Sequence, residues 1–312
     1  MIIKLAKQPQ FLIGLLFIMS LLIFSFFWTD ILDVKRSEAM KLMDFKYDEN
    51  GSIIDFIPYS PSEAPPFGTD LYGKQLFYQI VDGAKYTILI AFVIAFFRIV
   101  AAVGITLINP KANYAFLNDL VSATLTIPTT ILAYIFMSSL LMKHAMERKS
   151  FTELLVMQCL VLICIGVPTL ISTFSREIQD ILNKDYINNT FAIGAKKPYV
   201  YYKHLLPELS TRLVLLFAQQ MIQVLILLAH LGVLAIFIGG AETLALGDPL
   251  NVQLVDIPLA GEWSGIIGMS FMKLQAAPWV ILIPLSCFAV TILALNLIIQ
   301  GIQNGVEETN KL

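Results

Sequence analysis

From Phe11 to Trp28 the chain reads FLIGLLFIMSLLIFSFFW, with no charge anywhere in the run. Wound as a helix, a stretch of this length nearly matches the roughly 30 Å hydrocarbon core of a bilayer. Five further runs have similar character: Gly83–Ile108, Tyr114–Met142, Glu153–Phe174, Arg212–Ile238 and Trp279–Gln303. None alternates with period two. Inside lipid each backbone N–H and C=O must be satisfied within its own segment, so helix is the reading for all six. Composition agrees. Of 312 residues 57% are hydrophobic and only 14% charged, where a soluble domain carries about 25% charged residues. The pattern predicts an all-α integral membrane protein with six transmembrane helices and both termini on one side.

Several function classes fall away. Net charge is −2, from 21 Lys and Arg against 23 Asp and Glu, so no basic excess points to nucleic acid. Cys159, Cys164 and Cys287 all lie in apolar runs and read as small hydrophobes, with neither a disulfide nor a metal site expected. His144, His204 and His230 are scattered. There is no phosphate-binding Gly-Lys-Ser/Thr, no serine elbow and no His-Glu-x-x-His helix. No catalytic residue and no cofactor of its own is expected. Lys4 and Lys7 precede the first run, which exceeds the core of a signal peptide and reads as a retained helix.

The expected organisation is an N-terminal helix (1–29), an extramembrane segment (30–82), a five-helix core (83–303) and a short tail (304–312). The core holds two notable loops, 175–211 and 239–278. Lys and Arg divide evenly between the two sides. Lys4, Lys7 and the basic stretch Arg176–Arg212 favour an inner N-terminus and an inner 175–211 loop.

That inner loop reads as a built object. Ile178, Ile181, Leu182, Tyr186, Ile187 and Phe191 recur at helical spacing. Gly194 should then break the helix, since glycine reverses the chain without steric cost. Pro198 suits the first turn of a second helix, and Pro207 should end or kink it. The product is a helix–turn–helix elbow with a rigid tip at Asn188–Ala195.

The separation of Gly194 from Leu206-Pro207 resembles the cytoplasmic signature loop of ABC importer permeases. Its general form is Glu-Ala-Ala, three residues, Gly, nine residues, Ile, one residue, Leu-Pro. Here Asn188, Asn189 and Thr190 replace the triplet and His204 replaces the Ile. KHLLPE is similar to the ending common in the oligopeptide, dipeptide and nickel branch. FGTDLYGKQLFYQIVDGAKYTIL (67–89) and EWSGIIGMSFMKLQAAPWVILIP (262–284) resemble that branch in the same order. The loop 241–261 is longer than the branch usually has.

The resemblance implies a permease subunit in the bacterial cytoplasmic membrane, with cytoplasmic termini and no enzyme activity of its own. It would pair with a homologous permease, two ATPase subunits that carry ATP and Mg, and an extracytoplasmic substrate-binding protein. The cargo would be peptides, or alternatively nickel or a metal chelate; a membrane sensor or scaffold with the same fold that transports nothing is a third reading. The docking residues implied are Asn188, Asn189, Thr190, Phe191, Ala192, Gly194, Ala195, Pro198, His204, Leu206 and Pro207. Polar residues inside spans are pathway candidates: Arg98, which carries a high insertion cost, and Gln219 and Gln223, which share a helix face. The plain alternative for Arg98 is a structural pair or a snorkelling side chain, and for the two glutamines a helix–helix hydrogen bond.

Overall fold

The computed structural model describes residues 8–31, 46–47, 53–55, 57–108, 127–147, 150–246 and 253–310. The helices are α1 (Pro9–Ile31), α2 (Leu76–Ile108), α3 (Thr129–Glu147), α4 (Phe151–Leu182), α5 (Asp185–Ala192), α6 (Lys197–Val200), α7 (Leu206–Val233), α8 (Trp263–Ser270) and α9 (Pro278–Asn310). Two small antiparallel ribbons accompany them, β1 (Lys46–Tyr47) with β2 (Ile53–Asp55) and β3 (Ala241–Leu246) with β4 (Gln253–Pro258). Five helical stretches are long and apolar enough to cross a membrane: Pro9–Trp28, Leu76–Ile108, Phe151–Leu182, Lys197–Val233 and Pro278–Val306. Thr129–Lys143 is apolar but shorter. The first part of the expected third span, up to residue 126, lies outside the described residues, as do Lys4, Lys7 and the centre of loop 241–261.

Small residues let the helices touch. A methyl group on Gly14 would strike the Ala294 carbonyl, and one on Gly301 would strike the Phe11 backbone. So α1 lies directly on α9, the close approach that replaces the hydrophobic effect where the solvent is itself apolar. Gln10 and Asn304 close the contact, with the Asn304 amide donating to Gln10 Oε1 at 2.9 Å. The two helix ends therefore sit side by side. Phe11, Ile299 and Ile302 pack against Leu215 near the start of α7, which puts the 175–211 elbow at this same end of the bundle.

The opposite end is tied by tryptophans. Trp263 is buried and its indole donates to the Ile80 carbonyl at 2.8 Å. Trp279 donates to the Thr69 carbonyl at 3.2 Å. Asp70, buried beside Thr69, accepts from the Tyr72 and Lys74 amides and from Gln79 Nε2, all within 2.9 Å. Burial pushes its carboxyl above the ordinary range.

Several boundaries differ from the sequence expectation. Helix α2 starts at Leu76, because Gln79 and Asp82 break the apolar pattern but not the helix. The expected tail 304–312 continues α9 as far as Asn310. The single amphipathic helix across 178–191 is instead the end of α4 and a separate α5, broken at Asn183 and Lys184. Pro168 lies inside α4, whereas Pro128 directly precedes α3, where its missing N–H costs nothing.

Span Arg212–Ile238 ends early. Helix α7 stops at Val233 in a left-handed cap, with Ala235 at φ 56° and Ile236 N donating to Leu231 O. Ile236, Phe237 and Ile238 then pack into the core without helix. Gln158 holds this turn from α4, donating to Phe237 O at 3.0 Å and accepting from Gly239 N at 2.7 Å. The loop 239–278 also proves to be built. It carries the β3–β4 ribbon and then α8, whose Ile266 and Ile267 are core residues. Glu262 caps α8, accepting from Ser264 N and Oγ.

Candidate functional site

The elbow is a compact turn of structure with its own core. Ile178 and Ile181 of α4, Ile187 of α5, Val200, Leu205 and Leu209 pack together against Ile99 and Ala102 of α2. The apolar spacing found in the sequence is therefore the face that anchors the elbow to the spans. Its tip is the Gly194 turn. Gly194 has φ +92°, its N–H bonds to Phe191 O, and Ala195 N–H bonds to Thr190 O. These two bonds are the pair that closes a helix in a Schellman motif. Pro198 then falls in the first turn of α6.

Leu206-Pro207 is reached through a π-helical turn, Tyr201–Leu205, where Leu206 N–H bonds to Tyr201 O five residues back. Pro207 has no N–H to donate and its ring crowds the carbonyl four residues before it. A widened turn relieves both problems, so the helix runs on without ending. The expected stop at Pro207 is instead a local widening at 201–205, inside one continuous stretch from Lys197 to Val233.

Polar contacts brace the elbow from outside the core. Glu208, in the first turn of α7, accepts from Lys184 Nζ and from the Tyr186 hydroxyl, the latter at 2.5 Å. That carboxylate favours the protonated phenol and holds Tyr186 up to about 12. Tyr186 and Tyr199 each meet the His204 ring edge to face. Arg212 reaches back to Glu177. The α4–α5 break is thus clamped to α7.

The tip offers outward a mixture of polar and apolar groups. Asn188, Asn189, Ala192 and Gly194 are exposed, and Thr190, Phe191 and Ala195 half-buried. The most open large hydrophobic side chain of the elbow is one the sequence reading passed over: Ile193, at 86% exposure, beside the Gly194 turn. Tyr202 follows at 78%. Of the remaining candidates Pro198 and Pro207 are exposed, while His204 and Leu206 are half-buried in the brace.

A second polar feature lies within the spans. Arg98 of α2 is only 3% exposed. Its Nε and Nη2 donate to the Leu162 carbonyl of α4 at 3.0 and 2.6 Å, and Nη1 donates to Gln220 Oε1 of α7 at 3.1 Å. Gly166 makes room, since a methyl there would overlap the guanidinium. Gln220 in turn donates to Gln223 Oε1 at 2.9 Å. Arg98 and Gln223 both border a cavity of about 340 Å³, together with Thr129, Thr130, Thr169 and His230. Thr130 Oγ1 lies 3.2 Å from His230 Nδ1. Gln219 is half-buried and is not among the cavity's lining residues. The direct partner of Arg98 is Gln220, which the shared-face argument for Gln219 and Gln223 passed over. Among the described residues no group of three or more His, Cys, Asp or Glu gathers as a metal site.

Five long apolar helices around a packed core define a multi-pass, mostly helical membrane protein. Comparison with known proteins sharpens the class. Over 246 residues, covering 78% of this chain and 73% of the relative, it is 24% identical to a peptide transport system permease protein, SapC, of Haemophilus influenzae. It is 22% identical to the protein of the same name from Salmonella typhimurium, over 77% of this chain and 72% of the relative. It is 26% identical to the probable peptide ABC transporter permease protein y4tQ of Sinorhizobium fredii, over 80% and 77%. No family model matches the chain. Its homologues are thus peptide transport system permeases, aligned along most of both chains.

Proposed function

We propose that this chain is the membrane-spanning permease subunit of an ATP-driven importer for peptides, converting closure of separate ATPase subunits into alternating access. The observation that carries this is the elbow: an exposed tip at Ile193–Gly194, clamped through Glu208 to the first turn of α7, on a chain whose homologues are peptide permeases. A partner pressing on the tip would move α7 and the end of α4 together. The ATPases, bearing ATP and Mg, would dock there. A second permease subunit and an extracytoplasmic binding protein complete the assembly.

We assign six crossings, with the termini and elbow on the cytoplasmic side; what supports this is that the ends of α1 and α9 and the elbow lie at one end of the bundle. Helix α2 ends among the elbow's core residues, and α4 begins at the other end, where Phe151 lies against Gly239. The chain must therefore return across the bundle between Ile108 and Phe151, and α3 is the described part of that return. Arg98, Gln223 and, further along the same face of α7, Gln219 are assigned to the transport pathway.

The test is ATP-dependent uptake of a labelled peptide by cells carrying the complete system. Gly194→Trp should abolish uptake while the chain stays in the membrane at normal abundance. Nothing lies within 4 Å of a side chain begun at Gly194, but its φ of +92° strains any L side chain, so Gly194→Ala, which carries the same strain without the bulk, should keep most of the uptake that Gly194→Trp loses. Normal uptake by Gly194→Trp contradicts the docking model.

A further inference from the structure

We infer that the Arg98 cavity is a receptor for a carboxylate of the peptide cargo, the C-terminal one being the carboxylate every linear peptide with a free end carries. The inference rests on the peptide-permease reading and adds a ligand group and the residues that take it.

Three observations converge. The first is charge. Among the described residues the partners of Arg98 are all neutral, the Leu162 carbonyl and the Gln220 amide oxygen. A backbone carbonyl and a side-chain amide oxygen orient the guanidinium but leave its unit charge uncompensated, in a medium where a bare cation is costly. Three of the five guanidinium N–H groups are engaged by these bonds, which leaves two for a ligand.

The second is access. Arg98 borders the cavity, and the mouth is formed by exposed Thr129, Thr169, Gln223 and His230. Polar side chains on the surface of a spanning helix face water or protein, not lipid. Gln223, Ile226 and His230 recur at helical spacing on α7 and so form one wall of an open groove. A ligand entering from this side meets the guanidinium at the floor.

The third is donor chemistry. The lining has one arginine, three threonine hydroxyls, one amide and one imidazole, and no acid. That set suits an acceptor-only group such as a carboxylate, which pairs with arginine through short charge-assisted bonds. The same lining gives a peptide's N-terminal ammonium no anionic partner, so recognition is one-ended. Arg98 is held by α4 and α7 before any ligand arrives, so little ordering is needed on binding.

The experiment uses the full chain in lipid nanodiscs, without ATPase or binding protein, titrated with trialanine, trialanine amide and N-acetyl-trialanine. The expected result is that the two free acids bind alike and the amide binds at least roughly tenfold more weakly, the loss of one charge-assisted contact. Arg98→Gln should erase the acid–amide difference. Thr169→Val, at an exposed lining position outside the Arg98–Gln220–Gln223 hydrogen-bond chain, should weaken all three peptides while preserving it. Equal binding of acid and amide by the unmodified chain, or no binding of any, overturns the inference, and neither needs a variant to fold. Because the assay omits the ATPase, its failure leaves the uptake result untouched, while absence of ATP-dependent uptake with intact carboxylate selectivity would fell only the importer reading.

Discussion

Gly166→Ala separates a packing account of the Arg98 site from a helix-propensity account, because the two predict opposite signs. The added methyl would overlap Nε, Cζ and Cδ of Arg98. Those are the middle of the side chain, so the guanidinium has to leave the Leu162 carbonyl. It then forfeits bonds of 3.0 and 2.6 Å to one acceptor, together on the order of 2–4 kcal/mol for a charged donor. Alanine returns about 1 kcal/mol of helix propensity. The net loss is about 1–3 kcal/mol, which lowers the unfolding midpoint by several degrees. In an Arg98→Ala background the clash is gone, and the same substitution should stabilise by up to about 1 kcal/mol. Tryptophan fluorescence during thermal unfolding in detergent reads the four corners of this double-mutant cycle. If Gly166→Ala has one sign in both backgrounds, Gly166 is not there to admit Arg98 and the reasoning fails.

Two further substitutions probe the elbow and the end of α7. Glu208→Gln removes the carboxylate that holds Tyr186 up to about 12, so the phenol should titrate closer to its ordinary value near 10; phenolate absorbance, with Tyr186→Phe to assign the signal, reads the downward shift. Ala235→Gly relieves a left-handed residue at φ 56° and should raise the unfolding midpoint by the equivalent of about 1 kcal/mol, with an unchanged or lowered midpoint counting against the strain.

The class of fold was legible because length and apolarity decide it, and neither depends on long-range contacts. Gly194 and Pro198 were legible for the same reason: their backbone requirements are local. What was hidden is instructive. The break at Asn183–Lys184 escaped notice because the apolar spacing from Ile178 to Phe191 continues in phase across it; both α4 and α5 bury the same face in one cluster. Ile193 was overlooked as an ordinary apolar residue, although a hydrophobic side chain held out at a turn is more informative than a buried one.

Arg98 announced itself by its cost, but its partners lie 64 and 122 residues away. Periodicity on α7 grouped Gln219 with Gln223, and only the packing of three helices singles out Gln220. Gly166 was the available clue, a glycine within an apolar span. The region 239–278 read as loop because eight residues of helix, α8, fall short of any membrane threshold. Its burial comes from Trp263 docking on α2, donating through its indole to the Ile80 carbonyl and through its backbone amide to the Thr87 hydroxyl oxygen.

The central claim is that a nucleotide-hydrolysing partner sits on the tip of the 175–211 elbow. Ile193→Cys, in a chain whose Cys159, Cys164 and Cys287 are replaced by alanine, tests it by cross-linking in membranes carrying the complete transport system. The account predicts a cross-linked product containing this chain and an ATPase subunit, formed at the cytoplasmic face and lost with Gly194→Trp. Cross-linking of Ile193→Cys only from the outer face, or to no ATPase subunit, would contradict it.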